Sequence, residues 1–230
     1  MSRICGQCGK TIDTEGVAFC PYCGTKLPGE DKPEIRDEEA EKWVGKALAV
    51  TSFPERKKIL QKGLEACPGS REIEWEMLFI GEPEAKPKGI DFSIIKSWIL
   101  EIYLKPEAFK DDKKDRMRAQ LFDEPELVRV LNRFDNPGEK QREYLDRLCE
   151  QYVELFLEGS NLVMGNFLGF QLGRNREKKL AAPVAKMIFR IREDEKLLPE
   201  QREQLWKALY RAYGTRAGGK MQYLDEMINS

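Results

Sequence analysis

The sequence predicts a mainly α-helical protein headed by a small cysteine-bearing β-hairpin. Three observations carry this expectation. Two C-x-x-C pairs fall within the first 23 residues, apolar residues at helical spacing dominate after residue 38, and no strand pattern competes with them outside the N-terminal segment. The expected division is a hairpin module over 1–27, a flexible linker over 28–37, and a helical bundle or solenoid-like domain over 38–230.

The N-terminal element is justified by its cysteines. Cys5 and Cys8 form one pair, Cys20 and Cys23 the other; each pair is followed by a glycine, and eleven residues separate them. Four thiolates in two pairs suit a tetrahedral zinc ion and leave no open position for water or substrate. Gly9 and Gly24 permit the positive φ that turns backbone N–H groups toward sulfur, and Pro21 pre-sets its own φ inside the second pair. Lys10-Thr11-Ile12 and Val17-Ala18-Phe19 are β-prone runs around Asp13-Thr14-Glu15-Gly16, a hairpin that would bring the pairs together. So short a segment buries too little apolar surface to fold unaided, so the metal would supply most of its folding free energy.

On these residues, 3–27 resembles a zinc ribbon of the rubredoxin-knuckle type. The resemblance implies one structural zinc ion and a structural or interaction role. Iron in a rubredoxin-like site and a redox dithiol are the alternatives. The first is disfavoured by the short intervening segment, the second because two complete pairs exceed what a redox motif needs.

The remaining elements follow in order. Pro28 to Asp37 has the proline, glycine and charge of a linker. Trp43, Ala47 and Val50 mark a first helical stripe. Pro54 opens a second helix with Ile59, Leu60 and Leu64 inward, closed by Pro68-Gly69, and Ile73, Met77 and Ile80 follow on a third, bounded by Gly81. Leu64-Glu65-Ala66-Cys67-Pro68, followed by Trp75-x-x-Leu78, resembles a tetratricopeptide repeat boundary, although Phe79 stands where that family has glycine and no second copy follows. Glu82 to Gly89 reads as a loop. Asp91 suits the cap of a helix carrying Ile94, Ile95, Trp98, Ile102 and Tyr103, ended by Pro106. Pro125 opens a short helix with Leu127, Val130, Leu131 and Phe134, and a longer one from about Glu139 to Leu157 carries Tyr144, Leu148, Tyr152, Leu155 and Phe156. Leu180, Val184, Met187, Ile188 and Ile191 form a buried stripe that leaves Lys178, Lys179, Lys186, Arg190 and Arg192 to solvent, and Trp206, Tyr210 and Tyr213 of the next helix are spaced for packing.

Composition narrows the function classes. The chain has 230 residues, 41% hydrophobic and 34% charged, with a net charge of −1, as expected of a globular protein with much solvated helix surface. No apolar run approaches a membrane span, Met1 to Arg3 lead straight into the cysteines rather than a signal peptide, and Cys67 and Cys149 have no evident partner, so a reducing compartment, the cytoplasm, is expected. The chain has no histidine, which removes Ser-His, Cys-His and His-ligated catalytic metal chemistry. The acidic runs Asp111-Asp112 and Glu193-Asp194-Glu195 sit among Lys and Arg and read as solvated faces or turns. Gly214 to Lys220 matches the phosphate-loop spacing G-x-x-x-x-G-K but follows a helix and places Met221 where a Ser or Thr is required, so it reads as a break between helices. An enzyme is not expected.

Two features are candidates for specificity. Gly165, Gly169 and Gly173 recur every four residues and suit close helix packing within the chain, or alternatively in a homodimer. From Phe170 to Lys220, thirteen basic residues face six acidic ones, a net of +7, while Glu30 to Lys42 carries a net of −4. The basic candidates are Arg174, Arg176, Lys178, Lys179, Lys186, Arg190 and Arg192, suited to nucleic acid or an acidic partner. The leading expectation is a non-enzymatic adaptor binding a protein or peptide partner, with nucleic-acid binding through the basic region second.

Overall fold

The computed structural model describes residues 3–4, 11–12, 37–81, 96–163, 176–217 and 221–229. These residues are mainly helical. At the N-terminus β1 (Arg3–Ile4) pairs antiparallel with β2 (Thr11–Ile12), Arg3 opposite Ile12 and Ile4 opposite Thr11. The partner of Thr11-Ile12 therefore precedes it in sequence. Val17-Ala18-Phe19, the partner expected from the sequence, lies outside the described residues, as do Cys5, Cys8, Cys20, Cys23 and most of the linker.

Helices α1 (Asp37–Leu48), α2 (Phe53–Ala66) and α3 (Arg71–Met77) pack on one another around Ala40, Ala47, Leu60, Cys67 and Ile73. Each end has a local cause. Pro54 stands in the first turn of α2, whose start also supplies Arg56; its Nε and Nη2 donate to the carbonyls of Ala47 (3.2 Å) and Val50 (2.9 Å), satisfying acceptors where α1 stops. Gly69, at φ 79°, makes the left-handed turn that releases the chain from α2. Ser70 then caps α3 by accepting from the Ile73 N–H. At Gly63 the Trp43 side chain of α1 comes so close that an added Cβ would lie 3.0 Å from Trp43 Cβ.

The larger core begins with a 3₁₀ turn over Lys96–Leu100 that runs into the single-turn α4 (Glu101–Leu104). Then come α5 (Asp111–Phe122), α6 (Pro125–Leu131), α7 (Pro137–Val163), α8 (Arg176–Arg192), α9 (Pro199–Arg216) and α10 (Gln222–Ile228). Helix α9 lies against both α7 and α8, and α8 also receives α4 and α10. The buried side chains Tyr144 and Leu148 of α7, Val184, Met187, Ile188 and Ile191 of α8, Leu205, Leu209 and Tyr213 of α9, and Leu224 of α10 fill the space between them.

Helix α3 belongs to both cores. Ile73 faces the first, while Trp75 and, just beyond the helix, Phe79 enter the second, where Trp75 meets Phe79, Phe134 and Tyr144 edge-on at 5.3, 5.7 and 6.4 Å.

Several sequence expectations are revised. The helix expected from Asp91 is, over its described part, a 3₁₀ turn followed by one α-turn. Helix α5 was not anticipated. Helix α7 starts at Pro137, near the expected Glu139, but runs past Leu157. Gly214 lies inside α9, so the break between helices begins only at Ala217. Gly165, Gly169 and Gly173 lie outside the described residues.

Candidate functional site

The described open cleft lies where α8, α9 and α10 meet and has a volume of about 420 Å³. Its long wall comes from α9. There a helical repeat sends Leu205, Leu209 and Tyr213 into the core while Trp206 and Tyr210, one turn apart, stay half-buried on the adjoining stripe. Lys207 and Arg211 follow each aromatic, so the stripe alternates ring and cation. Trp206 and Tyr210 meet edge-to-face, centroids 6.4 Å apart.

The end of α8 supplies Arg192, whose guanidinium lies 4.4 Å from the Trp206 ring centroid in cation–π geometry. The far side is α10 and the residue after it, contributing Asp225, Ile228 and Asn229. The Tyr210 hydroxyl donates to Asp225 Oδ1 at 2.7 Å, and this hydrogen bond, with burial second, raises the Tyr210 pKa. Arg211 donates through Nε and Nη2 to Asp146 of α7 at 3.0 and 2.6 Å, and Lys207 pairs with Glu203 one turn back at 2.5 Å.

The sequence-predicted basic residues separate into distinct environments. Arg174 lies outside the described residues, and Arg176, Lys178 and Lys179 fall at the start of α8 without described side chains. Lys186 is exposed. Arg190 and Arg192 are not left to solvent as expected. Both are half-buried: Arg190 Nη1 donates to the carbonyls of Tyr103 (3.1 Å) and Leu104 (2.7 Å), closing the end of α4, and Arg192 joins the cleft. The basic excess of this segment is also met by acids from elsewhere. Asp115 of α5 takes Lys196 at 2.6 Å, Asp146 takes Arg211, and Glu154 of α7 takes Arg216 at 2.8 Å. Three of the thirteen basic residues of the segment thus meet acids from outside it, which lowers the positive field inferred from the segment alone.

Among the described residues three buried carboxylates lie away from this cleft, and each is held by donors. Glu76 receives two bonds of 2.8 Å from Arg147, which itself lies 3.8 Å over the Phe79 ring. Glu101 accepts from Tyr152 at 2.5 Å, and Asp194 accepts from Arg118 Nε (2.6 Å), the Tyr103 hydroxyl (3.1 Å) and the Lys196 N–H (3.2 Å). Burial first, and the adjoining carboxylate second, drive the Tyr103 and Tyr152 pKa values far up. These are ties between elements, since none of the three lines a described cavity. The second described cavity, about 10 Å³ and apolar beside Pro183, has no room for a substrate. Cys67 and Cys149 are buried thiols whose pKa values burial raises, which suits packing rather than reactivity. Among the described residues no group of His, Cys, Asp and Glu converges on a metal position, and no helix is long and apolar enough to cross a membrane.

Trp206 and Tyr210 do pack against the core as expected, but they also form the cleft wall, which the sequence pattern did not foretell. The available signal was the doublet Trp206-Lys207 recurring one turn later as Tyr210-Arg211. No family model matches the chain, and neither a curated protein nor a solved structure matches it.

Proposed function

We propose that this protein is a non-enzymatic interaction module: a helical scaffold that captures a segment of a partner protein in the α8–α10 cleft, headed by a ribbon in which Cys5, Cys8, Cys20 and Cys23 hold one structural zinc ion. The observation that carries the reading is the cleft, about 420 Å³, with Trp206 and Tyr210 along one side and a single carboxylate, Asp225, in its lining. The volume falls in the range of binding sites, roughly 300–1,000 Å³, and half-buried aromatic rings are the commonest anchors of protein interfaces. One carboxylate already bonded by Tyr210 is poorly equipped for paired acid–base work. Four thiolates require a reducing compartment, which agrees with a cytoplasmic location.

A photo-crosslinking residue placed at Lys207 tests the reading in cells. The expected product is a protein adduct that disappears with Trp206→Ala, and no adduct above that variant's background would reject it. Zinc content is tested separately: about one ion per chain is expected, lost in Cys5→Ser with the helical melting transition unchanged.

Nucleic-acid binding through the basic 174–220 region is the second reading, favoured by the Arg192–Trp206 stack, since ring and cation together form the platform on which single strands lie. It predicts nucleotide adducts at position 207 instead.

A further inference from the structure

The occupant of the cleft is further specified by its charges. We propose that it is an acidic peptide segment, with one carboxylate seated on the Arg192 guanidinium and a neighbouring apolar side chain laid along Trp206 and Ile228. This rests on reading the cleft as a docking site.

The lining carries three cations, Arg192, Lys207 and Arg211, against the one carboxylate of Asp225. Arg192 is the cation to follow. Its guanidinium lies 4.4 Å from the Trp206 ring centroid, and among the described residues no carboxylate lies within ion-pair distance of it. A guanidinium presents five N–H donors in a plane, matched by the two oxygens of a carboxylate. Lys207 and Arg211 have partners, but Glu203 is 59% exposed and Asp146 35%, so these are rim pairs that exchange readily with an incoming acid. Asp225 receives Tyr210 on Oδ1 and keeps Oδ2 for a backbone N–H of the occupant.

A phosphodiester would also suit Arg192, yet the same acids argue against a nucleic acid strand. A strand carries a phosphate at every nucleotide, and Asp225 within the cleft with Glu203 and Asp146 beside it would repel a continuous series. A peptide can place isolated carboxylates at the cations and amide N–H groups at the acids.

The experiment is selection of short randomised peptides by the zinc-loaded full chain, followed by affinity measurements on the selected sequences with wild type, Arg192→Gln, Arg192→Lys and Trp206→Ala, each checked by circular dichroism for an intact helical fold. The expected selection is Asp or Glu beside an aromatic or branched aliphatic residue. Affinity is expected to fall about tenfold or more in Arg192→Gln, as loss of a charged hydrogen-bonded pair implies. Arg192→Lys should be intermediate, because charge survives but the fork does not. Selected peptides without acidic preference, or with unchanged affinity for Arg192→Gln, would overturn the inference and leave the docking reading standing. No selection above the Trp206→Ala background would overturn both. Displacement of the selected peptides by a thymidine oligonucleotide at micromolar concentration would assign the cleft to nucleic acid instead.

Discussion

Glu76 and Arg147 form the ion pair that fastens α3 to α7, and with it the small core to the large one. The side chain of Glu76 is 8% exposed and that of Arg147 27%, so the two are not equivalent. Arg147→Met keeps an apolar stem against Phe79 and Trp75 but strands a carboxylate with little access to water. Losing one partner of a buried pair costs about 3–5 kcal/mol, and we expect about 3 here. Glu76→Met strands a guanidinium that retains the Phe79 face and some solvent, and should cost about 1–2 kcal/mol. The double variant replaces both ends with thioethers of similar length and leaves no charge behind. Its cost should therefore fall about 2 kcal/mol short of the sum of the two single costs. Urea unfolding of all four proteins, followed by circular dichroism and extrapolated to water, measures that coupling. A coupling within about 0.5 kcal/mol of zero would show that the pair does not fasten the cores, and would leave α3 joined to α7 by its aromatic contacts alone.

Tyr103, Tyr144 and Tyr152 are buried with pKa values raised far above the ordinary phenol, so they protect the fold below about pH 10 and that protection is lost as pH rises. Above the unfolded-state value each contributes a loss of about 1.4 kcal/mol per pH unit, together about 4; of the seven tyrosines, these three should give phenolate absorbance only together with loss of helix, and ionisation of all seven in an intact fold would contradict this. Gly63→Ala should destabilise by about 1 kcal/mol despite a better helix propensity, because the new methyl meets Trp43 Cβ at 3.0 Å and α1 must shift; a raised melting temperature would refute that.

The legible parts of the fold are those where one local signal sufficed. Pro54, Pro68-Gly69 and Pro125 bound helices because ring and φ constraints act on their own residues, and Leu180 to Ile191 announce their buried stripe by spacing alone. Helix α5 was hidden because its first turns, Asp111 to Arg116, are entirely charged. The apolar residues that bury it, Met117, Leu121 and Phe122, crowd into its second half, and no stripe runs its length. Its acidic start favours the helix dipole, a weaker cue than periodicity. The 3₁₀ turn at Lys96–Leu100 was equally opaque, since Trp98, Ile99 and Leu100 fit either helical pitch and contact with α7 accompanies the tighter one.

Charge was the least legible property, and the reason is geometric. A net of +7 over residues 170–220 describes a field only if that segment stands apart from the rest of the chain, and it does not. Lys196 meets Asp115, 81 residues away, and Arg211 meets Asp146, 65 residues away, because the turn after α8 reaches α5 and α9 lies against α7. Arg190, half-buried, donates to two backbone carbonyls of α4. The cation that the cleft draws on is Arg192, beside Trp206, a juxtaposition set by the meeting of α8 and α9 across 14 residues of sequence that show no periodic relation between them. Specificity in such a helical scaffold therefore resides less in how many cations a segment carries than in which of them the fold leaves without an acid, a conclusion that the Arg192→Gln and Arg192→Lys pair tests directly.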